Sequence, residues 1–163
     1  MVLFPGDAIV TVSGSVDADY SGDATAYELH FRGDNTWTIS LRDPDSELFS
    51  VLLSINTAQR VYWPGPGAGE YEIGTGELDT GTFSATYYNI QAGVTYDPDT
   101  GEVLKPIPTY STNTGYDAGG HLVIEEESEG VIEGSFQFKA YRVTEPSPDD
   151  VITVEGRFSA LRH

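Results

Sequence analysis

The chain has 163 residues, 26 of them Asp or Glu against 8 Lys or Arg, so its formal charge is −18. With 39% hydrophobic and 12% aromatic residues it has one domain's length and enough apolar side chain to bury a core, while the absence of Cys excludes a disulfide scaffold, thiol chemistry and a Cys-ligated zinc site. The charge opposes phosphate backbones and anionic membrane surfaces and no apolar run spans a bilayer, so neither nucleic acid nor membrane insertion is expected, whereas a surface of the halophilic type is.

From the N-terminus onward the pattern has period two. Met1–Gly6 has no positive n-region and no apolar h-region, so a signal segment is expected to have preceded Met1. Val10, Val12 and Val16 share one parity and predict a first strand, and Asp17–Asp23 follows as a turn. Asp17, Asp19 and Ser21, with Asp23 beside them, Gly22 and then Glu28, have the oxygen spacing of a calcium loop. That template needs a helix on each side. The flanks here alternate as strands, so an acidic hairpin turn is preferred, calcium is the alternative, and no other cofactor is expected. Tyr27, Leu29 and Phe31 predict a second strand with those three buried, which puts Glu28 and His30 on its solvent face.

Trp37, Ile39 and Leu41 predict the next strand and, after the turn Asp43-Pro44-Asp45-Ser46, Phe49, Val51, Leu53 and Ile55 another. Tyr62–Gly69 is a Pro/Gly loop opening on Tyr62 and Trp63. Phe83, Ala85 and Tyr87 alternate again. Tyr88–Gly120 then reads as a long irregular insertion, with a hairpin turn at Asp97–Gly101. Leu122 and Ile124, then Ile132, Phe136, Phe138 and Ala140, then Ile152, Val154 and Phe158 complete the alternation. The acidic run Glu125–Glu129 reads as a solvated strand edge, and Gly14, Gly134 and Gly156 are expected to mark bulges or bends.

No window has a helical period, and about ten or eleven half-buried strands emerge. The expected fold is all-β, a single domain over 1–163, built as an antiparallel two-sheet sandwich, with a closed β-barrel second. Tyr62, Trp63, Tyr88, Tyr96, Tyr110 and Tyr116 lie in or beside irregular segments and form the candidate ligand-binding set, because a flat ring with a polar tip stacks on sugars and anchors protein interfaces. The competing reading makes them lids over the core.

The second half contains Gly134-Ser135-Phe136-Gln137-Phe138 and, in the last strand, Gly156-Arg157-Phe158. It resembles a family of small β-sandwich domains of unknown function from surface lipoproteins of Bacteroides-type bacteria, in which a Gly-[Ser/Thr]-Phe-x-Phe strand precedes a final strand ending Gly-x-Phe. Upstream, Pro66–Gly74 looks like that family's Pro-Gly-x-Tyr strand. The resemblance implies a sandwich and a cell-envelope location, and brings no active site. The family's lipid-bearing Cys has no counterpart here, and Tyr88–Gly120 is additional to its pattern.

None of His30, His121 and His163 is placed beside a Ser or Asp by any motif, and neither Gly-x-Ser-x-Gly nor His-Glu-x-x-His occurs. The expectation is a non-enzymatic structural or adhesive module, extracellular or in the cell envelope, whose partner is a protein or glycan at a cell surface. Self-association is expected through Met1–Val16 adding to a neighbour's open edge. The alternative is a carbohydrate-binding module, assisted by calcium.

Overall fold

The computed structural model describes residues 3–31, 34–43, 49–57, 67–74, 82–88, 97–102, 109–114, 116–128 and 130–162, with backbone only at 29–31, 34–35 and 56–57. The alternation folds as ten strands: β1 (Asp7–Gly14), β2 (Ala18–Phe31), β3 (Asp34–Arg42), β4 (Ser50–Thr57), β5 (Gly69–Ile73), β6 (Ser84–Tyr88), β7 (Thr109–Ser111), β8 (Gly119–Ser128), β9 (Val131–Arg142) and β10 (Val151–Arg162). Among the described residues there is no helix.

Pairing closes the sheet on itself. β1 hydrogen-bonds to β2, and the ladder continues through β3, β4, β6, β7, β9 and β10 back to β1, giving an eight-stranded antiparallel barrel. The two-sheet sandwich is therefore corrected to a closed barrel. β1 is paired on both flanks, and beyond its end β10 meets β2 directly, Leu161 opposite Thr25 and Arg162 opposite Ala26, so no seam divides the strands into two sheets there. Period two specifies one buried face per strand, which a sandwich and a barrel share. Within this chain both edges of β1 are taken up by β10 and β2.

β8 and β5 are the additional strands. β7 covers β6 only from Thr86 to Tyr88, and below it the wall is completed by β8 on β9 and β5 on β8. Phe83 N–H donates to Glu72 O at 2.9 Å and Gly74 N–H to Phe83 O at 2.6 Å, returning that pair to the start of β6. Thr112 fastens the junction: its buried Oγ1 donates to Gly74 O at 2.6 Å and accepts Ala85 N–H at 3.0 Å. A strand thus lies inside the segment expected to be irregular from Tyr88 to Gly120.

The interior is filled by Val10, Val12, Ile39, Leu41, Val51, Leu53, Leu122, Ile124, Ile132, Phe138, Ile152 and Val154, and aromatics crowd each end. At one end Tyr20 stacks on Phe49 at 4.6 Å and its hydroxyl lies 3.1 Å from that of Tyr87; at the other, Phe83 meets Trp37 and Tyr71 edge-on. On β2 the inward side chains are Ala24 and Ala26, opposite Leu41 and Ile39. Tyr27 is outward and half-buried, so the expected face of β2 is inverted. A barrel wall places small residues opposite large ones, and the wider apolar residue of an alternating pair is not always the inner one.

One further expectation changes. Ala18–Asp23 belongs to β2, leaving Ser15–Asp17 as the turn. The register shift in the β8–β9 ladder falls between Ile124 and Glu126, opposite the step from Glu133 to Gly134, so the irregularity lies beside Gly134 as expected, with its extra residue on the acidic run of β8. The hairpin turn at Asp97 forms as its composition requires: Asp97 Oδ1 accepts the N–H groups of Asp99 and Thr100, and Gly101 takes φ 73°.

Candidate functional site on the outer face

The predicted aromatic set does not gather in one place. Tyr62, Trp63 and Tyr96 lie outside the described residues. Tyr110 faces into the barrel, 4% exposed beside Tyr87, and its hydroxyl donates to Asp150 Oδ1 at 2.6 Å. Burial first, then that hydrogen bond and the Asp150 charge, raises its phenol well above the ordinary value, with Arg142 opposing. Tyr88, of opposite parity to Tyr87, sits half-buried in an outer cleft of about 240 Å³ with Tyr27, Ser40, Arg42 and Leu52. Tyr116 is 38% exposed, its ring 4.9 Å from Tyr141 on the outer face of β9.

The calcium template is divided between the two faces of β2. Asp19, Ser21 and Asp23 are exposed on the outside, Asp19 Oδ1 accepting from Thr11 Oγ1 at 2.9 Å, and Asp17 Oδ1 accepts Gly14 N–H in the turn. On the outer face the Asp19 carboxylate is turned to Thr11 and that of Asp17 to the Gly14 N–H. Glu28 has the inward parity of Ala24 and Ala26 and lies opposite Trp37, with Oε1 buried. Among the described residues no group of three or more His, Cys, Asp or Glu side chains converges as for a metal.

A third set converges that the period did not single out. Thr11 on β1, Glu155 on β10, Gln137 on β9 and His121 on β8 stand in one cross-strand row. The next row holds Ile9, Arg157 and Ser135. Together they line a shallow cleft of about 370 Å³, open to solvent, floored by Phe136 and Gly156. Among the described residues, the side chains of Arg157, Glu155, Gln137 and His121 are engaged in no hydrogen bond or ion pair. Along the strip toward Tyr116 stands Lys139, its Nζ 5.4 Å from the centre of the Tyr141 ring; hydrogen bonding to Tyr141 raises its pKa.

The cleft lies where the short Ser135 stands among the longer outward side chains of Gln137, Glu155 and Arg157. Chemically it offers a guanidinium donor, a carboxylate acceptor, and an amide, an imidazole and hydroxyls that do both. Glu155 and His121 are two strands apart, about 10 Å between backbones, so they do not form an acid–base pair in contact. Each of these side chains alone looks like any solvated strand residue; only the register between strands, which one chain's periodicity does not encode, brings them together. Comparison with protein-family models, with curated proteins and with solved structures returned no match for this chain.

Proposed function

We propose that the chain is a non-enzymatic adhesive module of a cell surface or secreted assembly, with the barrel as scaffold and the outer face of β8, β9, β10 and β1 as its contact surface. The observation that carries this reading is the set of uncommitted polar side chains, Glu155, Gln137 and His121 in one row and Arg157 in the next, around one cleft on the barrel wall. Carried on paired strands, these groups start from a fixed backbone, so binding orders side chains and not loops. The wide spacing of His121 and Glu155 favours holding over turnover. The acidic surface disfavours nucleic acid as the partner. No cofactor enters this reading.

The test uses beads bearing the full chain, scored for retention on a heavily glycosylated mucin surface and on the same protein after deglycosylation. Retention on at least one surface, lost in Gln137→Ala and Arg157→Ala variants whose urea midpoints are unchanged, is the expected result. Retention on neither surface, or retention indifferent to both substitutions, overturns the proposal.

A further inference from the structure

A partner for this face is selected by charge and by hydrogen-bonding type. An anionic ligand meets Glu155 and, opposite His121, Glu72, on a chain of net charge −18. A cationic ligand meets Arg157 and Lys139. A neutral ligand rich in hydroxyls satisfies both kinds of group, because every hydroxyl donates to Glu155 or Gln137 and accepts from Arg157, His121 or Gln137. The cleft, at about 370 Å³, lies in the range of roughly 300–1,000 Å³ used by small-molecule sites.

The face is also long in one direction. Ser135, Gln137 and Lys139 follow one another along the outside of β9 toward Tyr141, which is itself buried beneath Tyr116, about 20 Å end to end. Tyr116 lies over Tyr141 at the far end with part of its ring open to solvent, the form of surface on which the apolar face of a sugar ring rests. The cleft supplies hydrogen bonds at one end of the strip and the ring supplies a platform at the other.

We infer that the occupant of this face is a neutral oligosaccharide lying along β9, with one sugar in the cleft between Gln137, Glu155, Arg157 and His121 and the chain extending past Lys139 to the Tyr116 ring. This rests on the adhesive reading and names its ligand. The cleft at Tyr88 is the weaker choice because it borders segments outside the described residues.

The experiment is calorimetric titration of the full chain with an array of neutral disaccharides and pentasaccharides, and with oligogalacturonate as the acidic counterpart. Binding of neutral oligosaccharides in preference to the acidic one is expected. Arg157→Ala weakens it about 10- to 100-fold, the loss expected for a charge-assisted hydrogen bond, and Gln137→Ala about 2- to 10-fold, the loss expected for a neutral one. Tyr116→Ala weakens the pentasaccharide and spares the disaccharide, and Tyr88→Ala changes neither. No heat with any neutral oligosaccharide, or tighter binding of oligogalacturonate, overturns the inference. If beads then still adhere to the deglycosylated surface through Gln137 and Arg157, the adhesive reading survives and its partner is protein; if they adhere nowhere, both fall.

Discussion

Gly134 and Gly156 act through the space they leave. Phe136 stands directly opposite Gly156 and Phe158 directly opposite Gly134, so each ring lies across the other strand's glycine, and the two rings are 6.3 Å apart. A methyl group at Gly156 would sit 2.6 Å from Ile9 O and 2.8 Å from Phe136 Cζ, and backbone cannot retreat as a side chain can. Gly156→Ala is therefore expected to cost about 1–3 kcal/mol by overpacking, read as a lower urea midpoint at unchanged slope. An unchanged midpoint would mean that both the Phe136 ring and the β1 backbone at Ile9 give way without cost. The second residue-scale prediction concerns Tyr110. Its raised pKa keeps the proton on the folded phenol after the unfolded one, near pH 10, has lost it, so the folded state holds more protons and stability falls as pH rises above about 10. The urea midpoint should stay level with respect to this group below that pH and decline above it. In Tyr110→Phe the decline should be shallower, from a baseline lower by about 1 kcal/mol for the lost Asp150 hydrogen bond. Equal slopes would assign the alkaline loss to other groups.

At the scale of elements the strands differ in how firmly they are held. β9 and β10 pair without interruption from Val151 opposite Tyr141 to Leu161 opposite Val131, and each has a further neighbour, whereas β7 is three residues long and β5 five. Amide exchange should be slowest in β9 and β10, approaching the global unfolding free energy, and fastest in β5 and β7, measured by exchange and mass spectrometry. Protection in β5 equal to that in β10 would show the extra strands to be part of one cooperative barrel. This ranking follows from pairing, and pairing was the part least legible in the sequence. Trp37, Ile39 and Leu41, or Phe49, Val51, Leu53 and Ile55, declare their strands and inner faces through parity alone. β2 misleads because Tyr27 outweighs Ala24 and Ala26 on hydrophobicity, while the barrel needed the small pair inside. β7 was hidden because three residues are too few for a period to register. The cleft was hidden for a related reason: Gln137, Glu155 and His121 are neighbours only across strands, and nothing in the order of one chain says which strand will lie beside which.

For the whole molecule the governing quantity is charge, and the register sharpens it. Asp7 lies directly opposite Asp23 across β1 and β2, and Glu126 opposite Glu133 across β8 and β9, so part of the net −18 is spent on like-charge cross-strand pairs. These are outer-face groups, and screening reaches them. Between 0.1 M and 1 M salt the Debye length falls from about 10 Å to about 3 Å, which removes most of the repulsion between such pairs and among the remaining acids. The melting temperature should therefore rise steadily with NaCl. Glu133→Gln should raise it at low salt by the equivalent of about 0.2–1 kcal/mol and flatten the salt response, since one partner of the Glu126 pair no longer repels. Calcium provides the sharper comparison. If the acids of β2 act only as a diffuse charge, CaCl2 and NaCl at equal ionic strength should differ little, and the response should show no saturation. A stabilisation that saturates at submillimolar calcium and disappears in Asp19→Asn would instead mean that Asp17, Asp19 and Asp23 rearrange around an ion without Glu28, which lies on the other face of the strand.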